Sequence, residues 1–174
     1  MAIHPSTPHP DVVIRPVKAD EVVAVAQLHV QADRETYQPI FGAHFEAADL
    51  DLSQLRWDVA LAAGDVLLVA LEDGRMVGLA HATPTWMSAL YLLSTHIRRG
   101  IGLRLLVALC EALQARGVAE IGFKAVAGNT NAIAFYQAVG AQIVGRETQG
   151  EGDAAWEDIV FSLATDAPAA FRRG

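Results

Sequence analysis

The chain has 174 residues, of which 52% are hydrophobic, with 7 prolines, one cysteine and a formal net charge of −7. This length suits one domain with one core, and this composition argues against a disordered chain. The acidic balance argues against general nucleic-acid binding and suits a cationic partner, because an acidic surface concentrates cations.

The start of the chain predicts neither a secretory signal nor a membrane anchor. Residues 1–10 are expected to be a disordered lead, without the basic start and apolar run of a signal peptide. The uncharged segment Met76–Ile97 is long enough to span a bilayer, but its histidines, serines and threonines favour two buried strands. A single cysteine, Cys110, excludes an intrachain disulfide and a zinc cluster of cysteines. We therefore expect a cytoplasmic protein.

The first half of the domain predicts a strand, two helices and a hairpin. The strand Asp11–Val17 precedes a helix that Asp20 would cap. A loop or broken helix follows at Tyr37–Phe45, and then a second helix at Leu52–Ala63. Two apolar runs flank Asp73–Gly74, a favoured hairpin turn.

The second half of the domain predicts one strand directly after the hairpin, followed by two helices and three further strands. The helices are predicted from apolar spacing and from the glycines that follow them, Gly117 and Gly140. The predicted elements are, in order, strand 86–95, helix 101–116, strand 119–126, helix 131–139, strands 141–149 and 155–163, and a tail at 164–174. This order predicts an α/β fold with one mixed central sheet of six to seven strands and helices on both faces, in a domain spanning residues 11–163.

The segment His96–Leu106 reads "HIRRGIGLRLL" and predicts an anion site at the start of a helix. Gly100 and Gly102 let the backbone approach a bulky anion, while Arg98 and Arg99 add positive charge. The segment matches neither a nucleotide P-loop nor a dinucleotide fingerprint, which needs a third glycine. A plain glycine turn between solvated arginines would also explain it.

A second motif, "NTNAIAFYQAVGA", places Asn129, Ala132 and Tyr136 along one side of a helix start, with Gly140 behind them. Together, the two motifs resemble the GNAT acyltransferase superfamily. The resemblance covers Asp11–Leu163 and is most specific between residues 90 and 145.

The resemblance implies transfer of an acetyl group from acetyl-CoA to a primary amine of a small molecule or peptide, by direct attack. It implies that the glycine loop holds the pyrophosphate, that the preceding strand pairs with the pantetheine arm, and that Tyr136 is the general acid for the leaving thiolate. It places the acceptor wall near Tyr37, Phe41, His44 and Trp57, and makes a homodimer plausible. The implied cofactor-binding residues are Leu92, Leu93, Ile97, Arg98, Arg99, Gly100, Ile101, Gly102, Leu103, Asn129, Ala132 and Tyr136.

The chain departs from the family pattern at three places. Ile97 stands where Arg or Gln is usual, and Ser94 stands where proline is usual. The strand before the loop carries no glutamate to serve as a base, so His81 is the first candidate for that role and His96 the second. Glu35 and Glu120 are weaker candidates, and each histidine could instead be structural. No metal site is expected.

Two other functions remain open from the residues alone. The chain could be a catalytically weak sensor that binds CoA or another small ligand. It could also be a scaffold whose final strands pair with a partner. The sequence does not identify the acceptor amine, because acceptor sites are built from variable helices and loops.

Overall fold

The structure is a computed structural model that describes residues 11–171. Over this range the elements follow the predicted order, with one additional short helix after the last strand. The elements are β1 (Val12–Pro16), α1 (Val22–Phe41), α2 (Leu50–Ala62), β2 (Val66–Glu72), β3 (Arg75–Ala82), β4 (Met87–Leu92), α3 (Ile101–Gln114), β5 (Glu120–Val126), α4 (Thr130–Ala138), β6 (Gln142–Gln149), β7 (Trp156–Ala164) and α5 (Ala167–Phe171).

The strands form two antiparallel sheets that meet at a single point. One sheet has the order β1-β2-β3-β4 and the other the order β5-β7-β6. An isolated parallel bridge joins Trp86, just before β4, to Gly122 in β5, and the Gly122 N–H donates to the Thr85 carbonyl at 3.1 Å. Beyond this bridge β4 pairs only with β3, and β5 only with β7, within residues 11–171. The two sheets therefore leave an opening between β4 and β5.

Helices cover both faces of the sheets, as predicted. α1 and α2 bury Val25, Trp57 and neighbouring side chains against one face. α3 carries a leucine or isoleucine at every fourth position from Ile101 to Leu113, which gives one continuous apolar stripe. That stripe packs with α4 against the other face, around Phe161.

The prediction of a loop or broken helix at Tyr37–Phe45 is wrong for its first half. α1 continues through Pro39 to Phe41, and a 3₁₀ turn at Gly42–His44 follows. A proline removes one backbone hydrogen bond, and in the exposed last turn of a helix this loss is tolerated.

Two helices begin slightly before the predicted residue, α2 at Leu50 and α4 at Thr130, whereas α3 begins at Ile101 as predicted. α2 begins at Leu50, because the Asp49 carboxylate accepts from the Leu52 N–H at 2.9 Å and caps the helix. The segment expected to be a tail begins inside the fold, since β7 extends to Ala164 and the Thr165 hydroxyl donates to the Val118 carbonyl at 2.9 Å. The predicted disordered lead, residues 1–10, lies outside the described residues.

Candidate active site

The opening between β4 and β5 is the first element of the site. The Leu93 N–H donates to the Val77 carbonyl at 3.0 Å, so β3 already uses this amide. Successive amides of a strand point to opposite sides, so the Leu92 N–H faces the opening. Of the two leucines predicted to pair with a pantetheine arm, only Leu92 has its amide directed there.

The glycine loop stands at the end of β4 and leads into α3. Arg98 (φ 57°) and Gly100 (φ 76°) take left-handed backbone conformations, which turn the chain sharply into the helix. No side chain caps the N-terminus of α3. The first amides of a helix lack partners within it and carry a partial positive charge, so this uncapped end suits a phosphate.

The two arginines of the loop have different surroundings. Glu72, at the end of β2, accepts from Arg99 Nη2 at 2.5 Å and from His96 Nε2 at 3.1 Å. The bond from Arg99 is the main reason that the pKa of Glu72 lies below its usual range. Arg98 is exposed and forms no ion pair among residues 11–171. The structure thus ties Arg99 to Glu72 and leaves Arg98 free to meet an anion.

The second motif forms the start of α4. The Asn129 side chain caps the helix, with Oδ1 accepting from the Ala132 N–H at 3.2 Å. One turn later, the Tyr136 ring packs against Phe123, with 4.5 Å between ring centroids, and Tyr136 is 7% exposed. Burial, and secondly the nearby Tyr37, raise the pKa of Tyr136, so its hydroxyl stays protonated at neutral pH.

Tyr37 and Tyr136 come from helices on opposite faces of the sheets. Tyr37 belongs to α1, which covers one face, and Tyr136 belongs to α4, which covers the other. Both tyrosines lie beside β5: Tyr136 packs on Phe123, and Tyr37 lines a cavity together with Lys124 and Val126. The two tyrosines therefore flank, from its two faces, the strand that borders the opening.

A groove lies on the α1 side of the opening. It has a cavity of about 300 Å³, and a second cavity of about 230 Å³ adjoins it beside His44. Phe41 meets Trp156 edge to face, with ring centroids 5.4 Å apart. The larger cavity is lined by Tyr37, Phe41, Lys124, Val126, Trp156 and Asp158.

The larger cavity of the groove is lined by one cation that is paired and by one anion that is not. Lys124 forms an ion pair with Glu147. Asp158 accepts from Trp156 Nε1 at 3.2 Å and has no ion pair among the described residues. The groove therefore presents aromatic rings and one uncompensated carboxylate, a combination that attracts ammonium groups.

A cluster of polar groups lies behind the groove. The Tyr91 hydroxyl donates to Asp33 Oδ1 at 3.4 Å, and the Tyr91 ring lies edge-on to that of Tyr37, with centroids 6.4 Å apart. Burial raises the pKa of Tyr91 well above its usual value. Asp33, Tyr37 and Tyr91 thus form a connected group between α1 and β4.

His81, the predicted base, lies elsewhere. It is buried under Trp57 on the face covered by α2, with ring centroids 5.4 Å apart. Its Nδ1 lies 2.5 Å from Ser88 Oγ and its Nε2 lies 3.0 Å from Asp65 Oδ2. Burial lowers the pKa of His81, although Asp65 opposes this shift. Both ring nitrogens are occupied, which suits a structural role.

Sequence reasoning missed Glu72, Asp33, Tyr91, Trp156 and Asp158. Two local signals for them exist: Asp33 precedes Tyr37 by one helical turn, and Trp156 alternates with Asp158 on one face of a strand. Among residues 11–171 no cluster of three or more His, Cys, Asp or Glu side chains is arranged to hold a metal. No helix in that range has the length and apolarity needed to cross a membrane.

The chain belongs to the acetyltransferase (GNAT) family, whose model matches residues 24–141. This match confirms the family resemblance, and at the level of the family it confirms the prediction of an N-acetyltransferase that uses acetyl-CoA. Among curated protein sequences, none matches the chain significantly.

Solved structures confirm the fold. The ribosomal-protein-alanine N-acetyltransferase from Brucella melitensis matches with a TM-score of 0.72 at 22% identity, covering 87% of this chain and 99% of that one. A GNAT superfamily phosphinothricin acetyltransferase from Sinorhizobium meliloti, in complex with acetyl-CoA, has a TM-score of 0.71 at 18% identity and covers 88% of each chain. The paia N-acetyltransferase from Thermoplasma acidophilum, in complex with coenzyme A, has a TM-score of 0.69 at 15% identity, covering 88% of this chain and 99% of that one.

Proposed function

We propose that this chain transfers an acetyl group from acetyl-CoA to the primary amine of a cationic small molecule or peptide, by direct attack of the amine on the thioester. One observation carries the proposal. The uncapped N-terminus of α3 and the unpaired edges of β4 and β5 border one opening, and Tyr136 and Tyr37 flank β5 from its two faces. A thioester held in this opening is accessible to an amine from the α1 side.

The residues around the opening fit acetyl-CoA. The amides of residues 97–103 and the side chain of Arg98 would hold the phosphates. The Leu92 amide would meet the pantetheine arm, and Asn129 and Ala132 would form its wall at the start of α4. Acetyl-CoA supplies the activated acetyl group, and Tyr136 would protonate the departing thiolate, a role that suits a phenol kept neutral by burial.

The groove favours a cationic acceptor. Its one uncompensated carboxylate, Asp158, attracts an ammonium group, and the rings of Tyr37, Phe41 and Trp156 provide apolar walls around it. Lys124 is paired with Glu147, so among the described lining residues of the larger cavity no unpaired cation is available for an acceptor's own carboxylate. Alkylamines and diamines therefore fit better than free amino acids.

Cellular location and assembly are also proposals. The one cysteine of the chain, Cys110, is a free buried thiol, which suits the reducing cytoplasm. The edge strand β6 exposes Ile143 and Val144, whose relative exposures are 43% and 62%, and this edge would be the contact of a homodimer.

The test is thiol release from acetyl-CoA in the presence of a panel of acceptors. The panel should contain alkylamines, diamines, free amino acids and short peptides. We expect the fastest release with amines that lack a carboxylate, and a KM for the amine about tenfold higher in Asp158→Asn. Binding of acetyl-CoA without transfer to any amine would instead favour a sensor of the same fold.

A further inference from the structure

The reaction needs a proton acceptor, and the contacts of the two predicted histidines make each of them a poor one. A primary ammonium must lose a proton before it can attack, and β4 carries no carboxylate at the opening. Both nitrogens of His81 are occupied, and His96 is held by Glu72 on the loop. Asp33, a carboxylate on α1, is connected to the groove through Tyr91 and Tyr37.

We propose that Asp33 receives the proton of the acceptor amine through the hydroxyls of Tyr37 and Tyr91. The inference rests on the proposed function. Tyr37 lines the groove, and its ring lies against that of Tyr91, which in turn donates to Asp33 Oδ1 at 3.4 Å. This path leads from the groove, past β4, to a carboxylate behind it.

The surroundings of Asp33 suit a proton acceptor. Burial raises the pKa of Asp33 above its ordinary value, which makes its carboxylate a stronger base. The Tyr91 hydroxyl from β4, the Ala48 N–H from the segment before α2, and the Arg56 guanidinium from α2 act in the opposite direction. These three groups stabilise the ionised form of the carboxylate and partly offset the effect of burial.

Two further groups face this path: the Asp158 carboxylate, which lies beside Tyr37 in the groove, and His29. One helical turn before Asp33, His29 packs against Tyr91, with ring centroids 5.2 Å apart. Burial, and secondly Arg56, lower the pKa of His29 to about 4, so His29 carries no charge at neutral pH. The pKa values of Tyr37 and Tyr91 are both raised by burial, so both hydroxyls hold their protons until one is passed along.

The transfer balances without an additional reactant. The ammonium gives a proton to the Tyr37 oxygen, the Tyr37 proton moves to Tyr91, and the Tyr91 proton moves to Asp33 Oδ1. The amine lone pair then forms the C–N bond, the C–S bond breaks, and the thiolate takes the proton of Tyr136. The second amine proton restores Tyr136, and Asp33 releases its proton to solvent.

The experiment is a pH profile of kcat/KM for the best amine of the panel, from about pH 6 to pH 10, with acetyl-CoA binding measured by calorimetry. Asp33→Asn should lower kcat/KM at neutral pH by about 100-fold. As the pH rises, kcat/KM of this variant should increase by about tenfold per pH unit, because the free amine itself becomes more abundant. Asp33→Glu should restore much of the rate, and the exposed Asp58→Asn should match the wild type. Acetyl-CoA affinity should be the same in all four proteins.

A second variant tests the relay even if Asp33→Asn fails to fold. Tyr91→Phe removes only a hydroxyl from the path and should show the same recovery at high pH. The relay is overturned if Asp33→Asn stays within threefold of the wild type, or if its loss is equal at every pH. It is also overturned if Asp158→Asn shows the pH recovery and Asp33→Asn does not. In each of these results the wild type still transfers acetyl groups, so the proposed function stands. A wild type that acetylates no amine overturns both.

Discussion

Replacing Tyr136 by phenylalanine removes one hydroxyl and leaves the packed ring in place. The ring contacts Phe123, Phe135 and Phe161, with centroid distances between 4.5 and 5.7 Å. The hydroxyl forms no hydrogen bond among the described residues, so its loss should change the free energy of unfolding by less than about 1 kcal/mol. As general acid, the same hydroxyl should contribute about 10²- to 10⁴-fold to kcat, or about 3–5 kcal/mol of the barrier.

The assay therefore separates catalysis from packing. Thiol release under saturating acetyl-CoA gives kcat, calorimetry gives acetyl-CoA affinity, and guanidinium unfolding gives stability. The matched control is Phe123→Leu, which disturbs the ring beneath Tyr136 and should cost about 1–3 kcal/mol of stability while leaving the hydroxyl present. A kcat of Tyr136→Phe within threefold of the wild type would refute the role of general acid and leave Tyr136 as a packing residue.

Three further predictions follow from contacts around the site. Glu72→Gln frees Arg99 and His96 from their shared carboxylate, so the KM for acetyl-CoA should rise about twofold to fivefold with kcat unchanged. An unchanged KM would show that the contacts of Glu72 with Arg99 and His96 do not order the glycine loop. Gly122→Val should lower the free energy of unfolding by about 1–3 kcal/mol, because a Cβ there would lie 2.8 Å from the Trp86 ring. In the control Gly145→Ala, the nearest neighbour of the new Cβ would lie at 3.8 Å. Equal stability of the two variants would contradict the close contact between Gly122 and Trp86. Because the pKa of His29 is low in the folded protein, the unfolded chain binds one more proton than the folded chain between about pH 6.5 and about pH 4. The free energy of unfolding should therefore fall as the pH drops through this range, and His29→Gln should flatten that part of the curve. An equally steep curve for His29→Gln would refute the buried neutral histidine.

Local sequence patterns predicted the elements well. The stripe from Ile101 to Leu113 predicted α3, and Asp73–Gly74 predicted the hairpin between β2 and β3, because helix periodicity and turn chemistry are properties of neighbouring residues. The end of α1 was missed because a proline usually interrupts a helix, and only the exposed position of Pro39 in the last turn makes it tolerable.

The division of the strands into two sheets depends on contacts that no local pattern encodes. It is set by the ring of Trp86 lying on Gly122, a pairing of residues that are 36 positions apart. The opening between β4 and β5 follows from this one junction.

The residues of the site were also predictable only where they belong to local sequence motifs. Arg98, Gly100 and Tyr136 belong to motifs, so the sequence pointed to them directly. Glu72 and Asp33 became visible only through their partners Arg99 and Tyr91, which are distant in the chain. His81 was chosen for its place in the chain and its titration range. The structure places it under Trp57 with both ring nitrogens in polar contacts, which the sequence could not reveal.

The most direct test of the account is calorimetric binding of acetyl-CoA to the wild type, Arg98→Ala and Arg99→Ala. The free guanidinium of Arg98 would meet a phosphate, so its removal should weaken binding about tenfold. Arg99 is held by Glu72, and its removal should have a smaller effect. Binding that weakens in this order supports the opening and its loop as the acetyl-CoA site. The absence of any heat of binding to the wild type would contradict the account.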